Sequence, residues 1–269
     1  MRDSDKVFAG SVPENYDRHM VPLIFQPYAD DMARRAAALK PDAVLEIAAG
    51  TGAVTRALAP QLPPDARYIV TDLNPPMLDY AASRQPPDKR IQWQQADAMA
   101  LPFADESFDL VFCQFGAMFF PDRAQAYREA RRVLKPGGHF LFSVWDRIET
   151  NVFADDVTNA LARLLPADPP RFLVRTPHGY HDTAVIRNEL EAAGFSDVAI
   201  DTRTEISRAP SPRHVATAYC QGTLLRNEIE AAGGDLAATT DYVTAALAEK
   251  HGQGAIAAKI QAHVITAMI

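Results

Sequence analysis

Short apolar runs alternating with helical stretches predict an α/β fold built on a doubly wound, mostly parallel sheet. Three observations carry that expectation. Runs of strand length fall at 43–49, 67–72, 91–95, 108–115 and 139–145. Helical patterns separate them at a regular pitch, and a glycine-bearing turn closes the first run. Parallel neighbours need right-handed crossovers, so helices cover both faces, and ligands of such sheets lie at the carboxyl ends of the strands.

In chain order, residues 1–20 are polar, with Tyr16 and His19 in a segment able to order over a ligand. Leu23, Phe25, Tyr28, Met32, Ala36 and Leu39 give an amphipathic helix from Val21 to Leu39, ending near Lys40-Pro41. The first strand is followed by a helix at 53–62, stopped by Pro63-Pro64. After RYIVTD (67–72), Asn74-Pro75 reads as an N-cap with proline at the first helical position, and Met77, Leu78, Ala81 and Ala82 form the apolar stripe. IQWQQ (91–95) and FDLVFCQF (108–115) are the third and fourth strands, and the helix 122–134 is stopped by Lys135-Pro136-Gly137-Gly138 before the fifth, 139–145. Beyond Trp145 the rhythm breaks: a helix at 151–165, a proline-rich loop, a helix at 183–193 and a strand at 197–205. Two helices around Gly233-Gly234 and a last strand at 262–269 complete the chain.

Bulk properties limit the function. At 269 residues, 48% hydrophobic and 23% charged, the chain has ordinary globular composition and suits one large domain with caps. A formal charge of −7 disfavours the basic face a nucleic-acid partner needs. Two cysteines, Cys113 and Cys220, fit a reduced compartment better than a disulfide framework. No apolar signal core and no window of bilayer length stands out, so a cytoplasmic protein without a membrane span is expected.

The chemistry gathers at strand ends. VLEIAAGTGAVT (44–55) reads as a buried strand, a tight turn carrying Gly50 and Gly52, and a helix start. Glycine there lets backbone approach a ligand. Glu46, acidic in an otherwise apolar run, favours a ligand with positive charge or donor groups over one with phosphate. Asp72, ending the second strand, is where a carboxylate accepts both ribose hydroxyl protons. Asp97 after the third strand suits an exocyclic adenine amine, with Leu73, Ala98 and Met99 flanking the ring, and Gln114-Phe115 ends the fourth.

In this order VLEIAAGTG, VTDLN, QADAMALPFADESFDLVFCQF and LKPGG resemble the class I S-adenosylmethionine-dependent methyltransferases, and within them the small-molecule group that includes quinone-biosynthesis C-methyltransferases. The resemblance spans 41–146, with the remainder similar in outline. It departs from the family's acidic-x-Gly-x-Gly-x-Gly signature at Ala48, where alanine adds one methyl. It implies a Rossmann-like, seven-stranded sheet with an antiparallel last strand, and S-adenosyl-L-methionine as cofactor. Ala48, Gly50 and Gly52, with Glu46, would line the methionine part. Asp72 would hold the ribose, Leu73 and Met77 would pack on sugar and adenine, Asp97 with Ala98 would read the base, and Gln114 would meet the aminoacyl end. One domain would then comprise N-terminal lid helices (1–40), a core (41–146, 181–209 and the last strand, 255–269), and cap insertions at 147–180 and 210–254.

A sulfonium donor carries its own leaving group, so alignment of the methyl with an acceptor is the main requirement. The expected reaction is in-line methyl transfer to a small, apolar or aromatic metabolite, with Tyr16, Phe25 and Tyr28 closing the entry. If a general base takes part, the candidates are His178, His181, Asp182 and His214. His178-x-x-His181 has the spacing of a metal pair but no third ligand nearby, and no metal is expected. Two alternatives compete. A nicotinamide-dependent dehydrogenase would use Gly50, Gly52 and Asp72, but Thr55 stands where its third glycine belongs and Glu46 repels phosphate. A non-catalytic S-adenosylmethionine-binding module would lack an enclosed acceptor pocket beside Gln114. Monomer and homodimer remain equally open.

Overall fold

The computed structural model describes residues 12–269, so the first eleven residues of the expected lid lie outside it. Seven strands form one sheet: β1 (Ala43–Glu46), β2 (Arg67–Asp72), β3 (Ile91–Gln95), β4 (Phe108–Gln114), β5 (Leu134–Trp145), β6 (Ser196–Ala209) and β7 (Ile256–Met268). Their order is β3-β2-β1-β4-β5-β7-β6. Strands β1 to β5 pair in parallel, while β7 runs antiparallel to both β5 and β6. The order reverses between β1 and β4, so the crossovers on either side leave in opposite directions and open a crevice at those two tips.

Burial follows the layers. All four residues of β1 are buried, as a strand covered on both faces requires, whereas β3 at the edge shows Gln92, Gln94 and Gln95 to solvent. Helices α1 (Gln26–Ala38), α2 (Ala53–Leu58), α3 (Pro75–Arg84) and α4 (Arg123–Val133) flank the parallel strands. Beyond β5 come α5 (Val152–Leu164), α6 (Thr183–Ala192), α7 (Pro212–Gly222), α8 (Leu225–Ala231) and α9 (Leu236–His251).

Four differences from the sequence reading have physical causes. The helix expected from Val21 begins instead as a π-helical segment, Tyr16–Phe25, which joins α1. Pro22 inside it lacks an N–H, and the wider turn avoids the clash a proline makes in an α-helix. Lys135-Pro136-Gly137-Gly138 does not separate helix from strand; β5 already pairs at Leu134 with Phe108, and the four residues form a bulge before His139 meets Leu110. Gly137 there has a φ of 75°, and a Cβ on Gly138 would sit 2.8 Å from the Lys135 carbonyl, so both glycines are needed for the fold-back. The 210–254 region holds three helices, broken once at Thr223-Leu224 and again at Gly233 (φ 79°). Finally, β6 and β7 run longer than expected and remain paired to Ala209 and Ile256.

Candidate active site

At the carboxyl ends of β1 to β5 lies a cavity of about 240 Å³. One end is polar. Glu46, the last residue of β1, is buried, and its Oε2 accepts from Thr55 Oγ1 at 2.6 Å and from the Tyr68 hydroxyl. Burial pushes this carboxyl up to about 7 against the pull of those two donors. The chain then leaves β1 through Ala48, whose φ of 53° is left-handed. Gly50 (φ 57°) follows, and a Cβ there would meet nothing within 4 Å. Glycine at 50 thus serves conformation and leaves the backbone open to the cavity.

Asp72 ties this turn to the next strand tip. Its Oδ2 accepts from the Gly50 N–H at 2.8 Å and its Oδ1 from the Asn74 N–H at 2.8 Å. Burial raises its pKa, opposed by the Asn74 and Gly50 N–H groups. Asp97 holds the following turn, accepting from the Met99 N–H at 2.9 Å. Thr51 Oγ1 and Gln114 Oε1, both buried in residues of the cavity wall, have no hydrogen-bond partner among the described residues. Two orphaned acceptors beside open glycine backbone are what a polar ligand would complete.

The other end is aromatic. Phe115, just past β4, also has a left-handed φ of 53°, which turns its ring flat against Trp145 at the end of β5, centroids 3.9 Å apart. Phe25 leans on both rings, and Tyr16 stacks on Phe25 at 5.0 Å. Phe172, His178 and Tyr219, from the segments after β5, complete this wall. The π-helical segment crosses the mouth and is pinned by Asp17, which accepts from Arg56 Nη2 at 2.7 Å; Arg56 also donates to the Thr51 carbonyl.

Residues 45–142 match the model of the family described as "Methyltransferase domain". A demethylmenaquinone methyltransferase of Lactobacillus johnsonii is 34% identical over 175 residues, covering 59% of this chain and 70% of that protein. The chain belongs to the class I S-adenosylmethionine-dependent methyltransferases. A ubiquinone/menaquinone biosynthesis C-methyltransferase of Teredinibacter turnerae is 30% identical over 168 residues, 58% of this methyltransferase and 67% of the relative. Among solved structures, the YcgJ protein of a Bacillus superposes with a TM-score of 0.56 at 22% identity, covering 90% and 98% of the two chains. The [4+2]-cyclase SpnF does so with 0.57 at 19% identity, covering 91% and 81%. Likeness of that degree speaks for the fold alone.

S-adenosylmethionine is the methyltransferase's cofactor, and the polar end of the cavity has the chemistry to take it. Membership of the family removes the nicotinamide-dependent alternative. The cavity continues past Gln114 toward Trp145 instead of closing there. Of the residues singled out from sequence, Glu46, Ala48, Gly50, Asp72, Leu73, Met77, Asp97, Ala98, Gln114, Tyr16, Phe25 and His178 all line this cavity. Gly52 stands behind it as the left-handed residue before α2, its missing Cβ giving room to Ala81 of α3. Tyr28 is buried in the core with its hydroxyl on the Arg203 carbonyl.

The remaining base candidates are off the cavity wall. Asp182 caps α6, accepting from the Ala184 and Val185 N–H groups. His181 bonds the His178 carbonyl, and His214 on α7 packs edge-on against His19. Thr51, Trp145, Phe172 and Tyr219 are not singled out by the sequence, and Phe115 is marked there only as the strand-end neighbour of Gln114, with no role given to it. Trp145 ends a strand as Gln114 does, so the strand-end rule reaches it; Phe172 and Tyr219 carry no comparable signal.

Proposed function

We propose that the methyltransferase acts on a small, apolar or aromatic acceptor, seated against Phe25, Phe115 and Trp145. The observation that carries this reading is the split of the cavity: its acidic residues, Glu46, Asp72 and Asp97, all belong to the β1–β3 tips, and the opposite end is aromatic. An ammonium-bearing acceptor would want a carboxylate at that second end. Relatives named for quinone biosynthesis support the same class.

When bound, S-adenosylmethionine supplies an electrophilic methyl group on a positively charged sulfur. On this reading Glu46 faces the positively charged amino-acid portion, and Gly50, Thr51 and Gln114 satisfy its polar atoms. Asp72 accepts from the ribose hydroxyls, Leu73 and Met77 pack on sugar and base, and Asp97 with Ala98 meets the base edge. The aromatic end aligns the acceptor and excludes water, which is the larger part of catalysis for a donor with a built-in leaving group. The N-terminal segment to residue 40 and the insertions 147–180 and 210–254 act as lid and caps, within a single domain.

Reduced 1,4-dihydroxynaphthalene and sarcosine, offered separately with S-adenosylmethionine, test the assignment by mass spectrometry of the products. Methylation of the hydroquinone and not of the amine is expected. Turnover of sarcosine alone would refute the acceptor class.

A further inference from the structure

Among the aromatic side chains at the acceptor end sits one ring with hydrogen-bonding capacity to spare. His178 is buried, its ring centroid 6.1 Å from that of Trp145, and it forms part of the cavity wall. Its main chain is anchored on both sides: the N–H donates to the Leu173 carbonyl at 3.0 Å, and the carbonyl accepts from His181 Nδ1 at 2.9 Å.

The ring's tautomer is set by its surroundings. Nδ1 lies 2.8 Å from the Asp146 carbonyl oxygen, which can only accept, so Nδ1 carries the hydrogen. The Asp146 carboxylate is held by three donors, the Arg147 N–H at 2.7 Å, Gln261 Nε2 at 2.5 Å and His263 Nε2 at 3.2 Å, and its carbonyl also accepts from Asn151 Nδ2 at 3.3 Å. Nε2 is left with its lone pair: among the described residues the ring's one hydrogen bond is the contact of Nδ1 with the Asp146 carbonyl. The titratable groups around the ring are Asp146, Glu149 and His181. Burial outweighs them and lowers the imidazole to about 4, so it is neutral at physiological pH.

We propose that His178 Nε2 receives a hydroxyl of the methyl acceptor, making the substrate a hydroxylated aromatic rather than a plain apolar ring. This deepens the acceptor class argued above and rests on it. As the ring carbon next to the hydroxyl bonds to the methyl, the carbon–sulfur bond breaks and its electron pair stays on sulfur. The hydroxyl proton passes to Nε2, which prevents positive charge from building up on the ring. The ring C–H proton then leaves to water, and the imidazolium returns its proton to the oxygen, restoring the hydroxyl.

The test compares 1-naphthol with 1-methoxynaphthalene by calorimetry, on protein saturated with S-adenosylhomocysteine. The wild type should prefer the naphthol by about three- to tenfold, the worth of one neutral hydrogen bond. His178→Asn keeps a donor for the Asp146 carbonyl but has no second nitrogen, and should bind both compounds alike. His178→Gln, whose longer side chain reaches the Nε2 position, should regain part of the preference. Affinity for S-adenosylhomocysteine should not change in either variant. In the wild type alone, the Nε2 resonance of His178 should move with the naphthol and stay put with the ether, a readout independent of how the variants fold. A preference that survives in His178→Asn, or an unmoved resonance, overturns the assignment of His178. Binding of neither compound by a wild type that still takes S-adenosylhomocysteine overturns the aromatic-acceptor reading, and this inference with it.

Discussion

Cofactor binding should release a proton, and Glu46 should be its source. In the free protein burial holds this carboxyl near 7 rather than at its ordinary 4.5. A positively charged amino acid arriving beside it favours the ionised form. If the bound state keeps Glu46 fully ionised, about 0.9 proton is released at pH 6, about 0.5 at pH 7 and about 0.1 at pH 8. The same linkage strengthens affinity about tenfold between pH 6 and pH 8. Calorimetry in two buffers of different ionisation enthalpy reads the proton count directly. Asp72 is also raised, so Glu46→Gln is the control: it keeps an acceptor for Thr55 and Tyr68 and should abolish the release. The free protein gives a second check. A carboxyl whose folded pKa lies above its unfolded one stabilises the fold fully below about 4.5, and loses that contribution as pH rises through 7. The shift corresponds to about 3 kcal/mol, so Glu46→Gln should be more stable than wild type at pH 8, by up to that amount, and gain little at pH 4. Buffer-independent heats at pH 6, or equal proton release in wild type and Glu46→Gln, would refute the reasoning.

Two further outcomes follow from the strand tips. Asp72→Ala should abolish measurable S-adenosylmethionine binding and, by stranding the Gly50 and Asn74 N–H groups, lower stability by about 1–3 kcal/mol without unfolding the protein. Asp97→Ala should weaken binding only about tenfold, the scale of one charge-assisted hydrogen bond; unchanged affinity in Asp72→Ala by calorimetry would count against the ribose assignment. Gly116→Ala should destabilise by about 1–3 kcal/mol, because its Cβ would come within 2.6 Å of both Ala48 Cβ and Cys113 Sγ. Adding Ala48→Gly removes one of those clashes and should recover part of the loss in a double-mutant cycle; strictly additive effects in denaturant melts would show the contact to be unimportant.

Strands β2 and β3 are legible to the residue because each is an apolar or alternating run closed by turn residues. The extents of β6 and β7 are not, since Ala258, Lys259 and Ile260 become a strand only through pairing with Ser207, Ile206 and Glu205. Ala48 shows a subtler limit. Judged by size, one methyl in place of hydrogen is harmless. The strain lies in its left-handed φ, and Gly116, 68 positions later, supplies the room its Cβ occupies. Neither fact is local. Asp182 went the other way: an aspartate directly before Thr183-Ala184-Val185 is an N-cap signature, and weighing helix starts before residue chemistry removes it from the base candidates.

The halves of the cavity were unequally legible because different kinds of structure build them. The polar half is made by strand tips, whose order along the chain fixes their order in space, so spacing places Glu46, Asp72 and Asp97 on one wall. Helical and irregular segments provide most of the aromatic half, and they reach the cavity only through tertiary packing: Tyr16 and Phe25 from before β1, Phe172 and His178 from before α6, Tyr219 from α7. The family match at 45–142 spans the first half and stops short of Trp145, His178 and Tyr219. Kinship therefore bears on the methyl donor more than on its destination. For the acceptor, the informative residues are those the family model does not reach, and among the described residues on that wall His178 pairs a fixed tautomer with a second ring nitrogen outside the ring's one hydrogen bond.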